Sequence, residues 1–178
     1  MLILVGPSAS GKTQVAAMLI KDYHMEKMVT YTTREKREGE KDGIDYHFLT
    51  KDDFLNKINH NFFLEYVTYN DNYYGTSYAE ISDNKVVILE PNGLNTYLNK
   101  LPNDVYIVFL KCSPEVLRIR MKMRGNNDDE INKRLALDSK VFNQDVAKNA
   151  HLIIDTTPSN TASVTSKIYQ LYQKSLKK

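Results

Sequence analysis

The sequence predicts an α/β protein whose central sheet is mostly parallel and is flanked by helices. Two observations support this prediction. Short, continuous apolar runs, of the kind buried on both faces of a parallel sheet, alternate along the chain with segments of helical spacing. A glycine-rich pattern, GxxxxGK[ST], lies between the first of these runs and the first helical segment. The length of 178 residues favours one domain, because about 150 residues is a common domain size.

Four apolar runs predict the strands of the core sheet. They are residues 2–5, 86–89, 105–110 and 152–154. Each run is continuously apolar and does not alternate with polar residues, which is typical of strands covered on both faces. The first run ends at Gly6-Pro7, so we expect the chain to turn there.

Helical segments lie between and after these runs. Residues 13–23 place apolar side chains at helical spacing, and the tail does so again from Val164 to Tyr172. Ser113 and Pro114 provide an N-cap and a proline at the first helical position. This pair predicts that a helix begins directly after the third apolar run.

Two stretches interrupt the alternation of strands and helices. Residues 30–85 are rich in aromatic side chains and broken by glycines, and part of the stretch alternates as a half-buried strand does. This composition predicts a mixed α+β insert. Residues 117–140 are rich in lysine and arginine, with a loop before a helix, and they predict a helical lid. The remaining ranges, 1–29, 86–116 and 141–178, are expected to form the core.

The charge and composition exclude several classes of protein. Lysine and arginine number 24 against 22 aspartate and glutamate residues, and this net charge of +2 is too balanced for a protein that coats nucleic acid or an anionic membrane. The single cysteine, Cys112, excludes an internal disulfide. The first apolar run is too short for a secretion signal, and no stretch approaches the roughly 20 apolar residues of a membrane span. We therefore expect a cytoplasmic protein that binds neither nucleic acid nor membranes.

The glycine-rich pattern after the first strand is a complete phosphate-binding loop. Its glycines let backbone N–H groups turn toward phosphate oxygens, and the helix that follows adds the positive end of its dipole. Lys12 would reach the β and γ phosphates of a nucleoside triphosphate, while the Thr13 hydroxyl would face Mg²⁺. The residues expected to bind the triphosphate are Gly6, Pro7, Ser8, Ala9, Ser10, Gly11, Lys12 and Thr13.

A second motif carries two arginines three residues apart and a tyrosine. The pattern TTRxxRxGExxGxxYxF occupies residues 32–48, and its arginines and tyrosine can converge on one dianionic phosphate. A solvated, charged loop is the alternative interpretation. The pattern resembles the monophosphate-binding segment of the guanylate kinase family, and residues 72–76, Asn-Tyr-Tyr-Gly-Thr, resemble that family's second acceptor segment. Together with the phosphate loop, three separated motifs occur in family order over most of the chain.

The resemblance assigns the acceptor nucleotide to particular residues. The residues implied to hold the GMP phosphate are Arg34, Arg37, Tyr46 and Tyr74, with Thr30 as an additional candidate, and Gly75 is implied as a further GMP-binding residue. The resemblance also implies that Glu65 and Thr76 read the guanine edge. A carboxylate suits guanine because its N1–H and exocyclic amine are adjacent donors, whereas adenine presents an acceptor at N1. The alternative for Glu65 is a charged residue on the solvent face of a strand.

The basic stretch resembles the lid of the same family. Arg124-Gly125, followed by a helical segment over residues 130–135, fits the lid pattern and implies that Arg124 and Arg134 close over the phosphoryl group being transferred. The catalytic residues implied in this way are Lys12, Arg34, Arg37, Arg124 and Arg134. A helix with a solvated basic face is the alternative for the other cations of the stretch, and Arg120 is left undecided.

One departure from the family concerns acidic residues after the second apolar run. The family carries two acids there, arranged as Asp-x-Asp, whereas this chain has Glu90 alone in the segment Ile-Leu-Glu-Pro-Asn-Gly of residues 88–93. Aligned by the apolar run, Glu90 replaces the first acid; aligned by the downstream Gly93, it replaces the second. We favour the first alignment, because a carboxylate at the strand end suits a water-bridged Mg²⁺ near the acceptor nucleoside.

These expectations combine into one hypothesis with two alternatives. The resemblance implies a P-loop kinase that transfers the γ-phosphoryl group of ATP to GMP, with Mg²⁺ as cofactor and dGMP as a further acceptor. The reduced acidic motif favours, as one alternative, a P-loop kinase for a different acceptor. A non-catalytic binding module of the guanylate kinase type is the other alternative, and the intact Lys12-Thr13 argues against it.

Overall fold

The structure is a computed structural model that describes residues 1–69, 71–142, 144–158 and 160–177. The elements of its first half are β1 (Leu2–Val5), α1 (Lys12–Tyr23), β2 (Glu26–Lys27), β3 (Tyr31–Thr32), β4 (His47–Phe48), α2 (Lys51–Asn59), β5 (Phe63–Tyr69), β6 (Asn72–Ser77) and β7 (Lys85–Ile88). The second half continues with α3 (Pro91–Lys100), β8 (Tyr106–Lys111), α4 (Pro114–Met123), α5 (Asp128–Val141), α6 (Gln144–Lys148), β9 (Leu152–Asp155) and α7 (Thr161–Ser175). None of the helices in the described ranges combines the length and the apolar character needed to cross a bilayer.

The core sheet is formed, within the described chain, by five strands in the order β2-β7-β1-β8-β9, and all of its pairs are parallel. Four of these strands overlap the predicted apolar runs to within one residue at each end, so the predicted parallel sheet is confirmed. The fifth, β2, consists of Glu26 and Lys27 alone and pairs with β7 at one edge. The first strand, β1, lies in the middle of the sheet and delivers the glycine-rich loop to its carboxyl edge.

Helices cover both faces of this sheet. Residues of one strand point alternately to the two faces. Leu2 and Leu4 therefore pack against α1 and α7 on one face, whereas Ile3 and Val5 pack against α3 on the other. This double covering explains why the central strand β1 is apolar at every position.

A second sheet of the described chain, in the order β4-β3-β6-β5, lies together with α2 within residues 30–85, the range predicted to form the insert. Strands β5 and β6 are antiparallel, and their register places Glu65 opposite Thr76. Phe54 of α2 stacks on Phe63 of β5 with 4.3 Å between ring centroids. A Cβ on Gly75 would come within 3.0 Å of both rings, so glycine is needed there for the aromatic packing.

A buried carboxylate ties the insert to the core sheet. Glu80, which is 7% exposed, accepts hydrogen bonds from the Val29 amide at 3.0 Å and from the Lys85 ammonium at 2.5 Å. Burial alone would raise the pKa of Glu80, but these two donors and the nearby His47 hold it below its usual value. Because Val29 and Lys85 stand at the two connections between insert and core, both connections are fixed at this point.

Two capped helices, α4 and α5, lie mostly within the stretch predicted to form the lid. Ser113 caps α4 and Pro114 takes its first position, which confirms the helix start predicted from the sequence. The second helix, α5, begins with a capping box in which Asn127 and Glu130 bond each other's backbone amides. Among the described residues of α5, only Ile131 is buried, so most of this helix lies on the surface.

We expect the stability of the fold to fall as the pH drops below about 6.5, the ordinary pKa of histidine, because His151 must stay neutral. Its Nδ1 accepts a hydrogen bond from the Ile107 amide at 3.1 Å, which a protonated ring could not do. Burial lowers the pKa of His151 in the fold. The unfolded chain therefore binds a proton more readily, and the stabilisation present above the ordinary pKa is lost as the pH falls toward the lowered one.

Urea unfolding at about pH 7.5 and about pH 5 measures this effect. The wild type should lose more free energy of unfolding over this interval than His151→Gln does. The matched control is His24→Asn at an exposed position, where the left-handed backbone (φ 55°) tolerates asparagine. Equal pH dependence of the wild type and His151→Gln would contradict the assignment.

Candidate nucleotide-binding site

The phosphate loop, residues 6–13, connects β1 to α1 at the carboxyl edge of the core sheet. Gly6 and Gly11 have φ of 148° and 100°, and Ala9 has φ of 62°, angles that L side chains seldom adopt. A Cβ on Gly6 would also lie 2.5 Å from the carbonyl oxygen of Leu110. Backbone of this kind forms a nest of N–H groups that suits an anion.

The phosphate loop is supported by the segment after β9. The Thr156 hydroxyl donates to the Ser10 carbonyl at 3.0 Å. Arg120 of α4 donates to the carbonyl of Ala9 at 3.3 Å and to that of Thr156 at 2.7 Å. Arg120, which the sequence left undecided, therefore bridges the loop and the core.

Lys12 lies at the start of α1 with its ammonium folded back over the loop. Its Nζ donates to two carbonyls of the loop, at 2.5 and 2.9 Å. Burial lowers the pKa of Lys12; the carboxylates of Glu90 and Asp138 oppose this shift, and the Arg124 guanidinium adds to it. The structure thus brings Glu90 at the end of β7 and Arg124 at the end of α4 into the electrostatic neighbourhood of Lys12.

Asp138 of α5 is a residue of this site that the sequence analysis missed. Its Oδ2 accepts a hydrogen bond from the Ser8 amide at 2.6 Å, so a carboxylate lies directly against the phosphate loop. Arg134 stands one helical turn earlier on the same face of α5 and is exposed. The available signal was an acid four residues after a predicted catalytic arginine, but that spacing does not reveal what the acid contacts.

Arg34 and Glu40 organise the loop of the insert where the acceptor phosphate is expected. The Arg34 guanidinium donates to both carboxylate oxygens of Glu40, at 2.7 and 3.0 Å, and Glu40 also accepts from the Arg37 amide at 2.8 Å. These hydrogen bonds hold the pKa of Glu40 below its usual value, and the bond to Glu40 raises that of Arg34. The glutamate of the TTRxxRxGE pattern therefore fixes the loop that carries both arginines.

Two tyrosines lie beside these arginines. The Arg34 guanidinium lies over the Tyr46 ring, 5.5 Å from its centroid, a distance typical of a cation–π contact. The Tyr46 ring meets the Tyr74 ring edge-on with 6.2 Å between centroids. We refer to Arg34, Arg37, Tyr46 and Tyr74 as the acceptor-phosphate cluster. Arg37 stands on the same loop with an exposed side chain.

Glu65 and Thr76 form a hydrogen-bonded pair across β5 and β6. The Thr76 hydroxyl donates to Oε1 of Glu65 at 2.8 Å; Thr76 is buried and Glu65 half-buried. Tyr97 of α3 lies beside this pair, and burial raises the pKa of its phenol to about 12. The negative charge of Glu65 also raises this pKa, whereas the hydrogen bond with Thr76 lowers it. The sequence analysis missed Tyr97, because a tyrosine at helical spacing is indistinguishable from an ordinary core residue. The glutamate predicted to read guanine is thus held in place by a buried neighbour.

A cavity of about 400 Å³ is bordered by residues from both predicted nucleotide sites. Its lining includes Thr13 from the phosphate loop, Thr30 at the start of the insert, and Asp45 and Tyr46 from the acceptor loop. Thr13 of the phosphate loop and Tyr46 of the acceptor-phosphate cluster thus border the same cavity, whose remaining lining comes mainly from α1 and β7. Gly75, by contrast, packs toward the aromatic rings of the insert, and its contact with a nucleotide stays a prediction.

Comparisons with known proteins agree with this arrangement. The guanylate kinase family matches residues 1–163. The guanylate kinase of Onion yellows phytoplasma is 36% identical over 172 residues, which are 91% of this chain and 81% of that protein. The guanylate kinase of Schizosaccharomyces pombe is 39% identical over 144 residues, which are 75% of this chain and 71% of that protein.

A solved structure shares the fold. The crystal structure of guanylate kinase from Anaplasma phagocytophilum matches with a TM-score of 0.63 at 20% sequence identity, covering 98% of this chain and 84% of that one. The family match extends over nearly the whole chain, and the phosphate loop and the acceptor segments lie within it. The chain therefore belongs to the guanylate kinase family, a family of nucleoside monophosphate kinases.

Proposed function

We propose that this protein transfers the γ-phosphoryl group of ATP to GMP and releases ADP and GDP. The observation that carries the proposal is the cavity that Thr13 of the phosphate loop lines together with Thr30 and Tyr46 of the insert. A donor site and an acceptor site that border one cavity suit transfer between two bound nucleotides. Membership of the guanylate kinase family supports the same reaction.

The donor site is the phosphate loop. Its backbone N–H groups receive the phosphate oxygens of ATP, and Lys12 turns from the loop carbonyls to the β and γ phosphates. Residues 6–13 form this site, and the dipole of α1 adds positive potential at the same point.

The acceptor site lies on the insert. The acceptor-phosphate cluster binds the phosphate of GMP, with guanidinium groups matched to its oxygens and phenol hydroxyls as neutral donors. Glu65 accepts from N1–H and the exocyclic amine of guanine, while Thr76 fixes the orientation of its carboxylate. An adenine would place an acceptor against this carboxylate, so AMP should bind poorly.

Members of this family use a divalent metal ion with ATP, and we propose that it is Mg²⁺ here. The residues fit this ion: the exposed Thr13 hydroxyl opens into the cavity, and the Glu90 carboxylate acts on Lys12 from the end of β7. Mg²⁺ favours oxygen ligands and keeps several waters, so one hydroxyl, one water-bridged carboxylate and substrate phosphates suffice. When bound, the ion neutralises charge on the phosphates.

Catalysis then rests on positioning and on positive charge. Phosphoryl transfer asks for little covalent chemistry from the protein. Lys12, Arg34, Arg37, Arg124 and Arg134 would surround the transferring group with cations. No general base is needed, because the attacking phosphate oxygen of GMP is already anionic. Closure of lid and insert would exclude water, which would otherwise hydrolyse ATP.

A panel of acceptors tests the proposed reaction. ADP release from ATP and Mg²⁺ is followed with GMP, dGMP, AMP, UMP and CMP in turn. We expect GMP to give the highest kcat/KM, with dGMP next. The single acid, Glu90, favours a different acceptor as the second candidate function, and a preference for AMP or a pyrimidine nucleotide would establish that candidate instead.

We expect Arg37→Ala to raise the KM for GMP by about ten- to a hundredfold, because a charge-assisted hydrogen bond to phosphate contributes about 1.5–3 kcal/mol. Tyr74→Phe should raise it less, since a phenol is a neutral donor. The KM for ATP should stay near that of the wild type in both variants. Lys51→Ala, at an exposed position at the start of α2, is the matched control. Equal effects on the KM values of ATP and GMP would show that the cluster does not bind the acceptor phosphate.

A further inference from the structure

We infer that Asp138 determines the affinity for ATP by occupying the phosphate loop when no triphosphate is bound. The inference rests on the proposed function only in taking ATP as the donor. The central observation is the hydrogen bond of 2.6 Å from the Ser8 amide to Oδ2 of Asp138, which joins residues 130 positions apart. A carboxylate thus receives an N–H group of the loop that is built to receive phosphate.

The surroundings mark this position as an anion site. The phosphate loop holds three residues with left-handed or similar backbone, the arrangement that aims N–H groups at an anion. Lys12, the cation of the loop, interacts electrostatically with the same carboxylate while its hydrogen bonds go to loop carbonyls. An incoming triphosphate needs both the Ser8 amide and the Lys12 ammonium. Its negative charge would also repel Asp138, so the carboxylate has to leave.

The helix that carries Asp138 has room to move. Its described residues are mostly exposed, and Ile131 near its start is the one buried among them. Asp138 itself borders a cavity of about 450 Å³, whose lining also includes Pro7 of the phosphate loop and apolar side chains such as Phe109 and Leu135. Because Arg134 lies one turn from Asp138 on the same face, displacement of the carboxylate would also shift the arginine proposed to act on the transferring group.

If ATP has to displace the Asp138 carboxylate from the phosphate loop, the negative charge of Asp138 lowers the affinity for ATP. We therefore expect Asp138→Asn, which keeps the size and removes the charge, to bind MgATP about tenfold more tightly. ADP carries less negative charge and should gain less. The difference between wild type and variant should shrink as salt is added, since the interaction is electrostatic. An acid that merely fastens α5 to the core would, when neutralised, leave nucleotide affinity unchanged or weaken it.

Calorimetric titration of MgATP and MgADP into the full chain, without any acceptor nucleotide, measures these affinities. Asp129→Asn is the control, because Asp129 is exposed on the same helix and lies nine residues, or about 14 Å, away along its axis. Thermal unfolding of each variant verifies that it is folded. An Asp138→Asn protein that binds ATP no more tightly than the wild type would overturn the inference. Failure of GMP transfer would not, since no acceptor is present.

A second measurement uses the wild type and does not depend on a folded variant. The side-chain carboxyl ¹³C resonance of Asp138 and the amide resonance of Ser8 are followed while MgATP is added. Both should shift as the hydrogen bond between them is replaced, while the carboxyl resonance of Asp129 stays in place. An Asp138 resonance that is unchanged at saturating ATP would show that the carboxylate is never displaced.

Discussion

Replacing Lys12 with alanine should lower turnover by about a thousandfold, to near the detection limit, while GMP binding stays within a few-fold of the wild type. The lysine is the cation of the phosphate loop, and it interacts electrostatically with Glu90, Arg124 and Asp138. Its removal takes away the group expected on the β and γ phosphates. The acceptor site is built from other segments, on the insert, and should survive the change.

Steady-state turnover with GMP and calorimetric titration of GMP separate these two effects. Lys21→Ala removes an equivalent charge from the last turn of the same helix, so it should behave as the wild type. Normal turnover in Lys12→Ala would refute the donor role of the loop. A large loss of GMP affinity would show that the two sites are not independent.

The second large effect that we expect is on recognition of the guanine base by Glu65. Glu65→Gln keeps the shape of the side chain but turns half of its acceptor edge into a donor, which opposes the N1–H or the amine of guanine. We expect kcat/KM for GMP to fall about a hundredfold, with the KM for ATP little changed. The ratio of kcat/KM for GMP to kcat/KM for AMP should therefore decrease. The effect should be large because Glu65 is already oriented by Thr76 at 2.8 Å.

The values of kcat/KM for GMP and AMP, in the wild type and in Glu65→Gln, decide this prediction. Glu38→Gln provides a control, because Glu38 is an exposed acid of the same insert. If the ratio of kcat/KM for GMP to kcat/KM for AMP is the same in both proteins, Glu65 is a half-buried strand residue with no role in base selection. Because Glu90 is predicted to lie near the nucleoside, we expect the missing second acid to alter the rate or the ribose preference and to leave the choice of base intact.

The core of the fold could be predicted because its signals are local. The run at residues 2–5 and the glycine pattern that follows are each readable in a few residues, and together they specify a strand, a turn and a helix. The strand β2 carries no such signal, since its two residues, Glu26 and Lys27, are exposed and polar. It exists through its pairing with β7, a contact across nearly sixty residues that no local pattern encodes.

The candidate site likewise contains residues that sequence motifs predict and residues that they do not. Arg34, Tyr46 and Tyr74 were found because they stand in motifs, and the structure brings them together. Asp138 and Tyr97 stand in no motif; they reach the site only because α5 and α3 lie where they do. Arg120 was undecided for the same reason, because its partners Ala9 and Thr156 are distant in sequence. Contacts between remote segments depend on packing, which sequence patterns do not describe.

The central claim is that one protein joins an ATP site and a GMP site for direct phosphoryl transfer. Phosphorus NMR of a mixture of ATP, GMP, Mg²⁺ and the wild-type protein tests it most directly, because the products are identified by their own resonances. We expect GDP and ADP to appear together in equal amounts, with little inorganic phosphate. Release of ADP and inorganic phosphate without GDP, or GMP left unchanged while another monophosphate is converted, would contradict it.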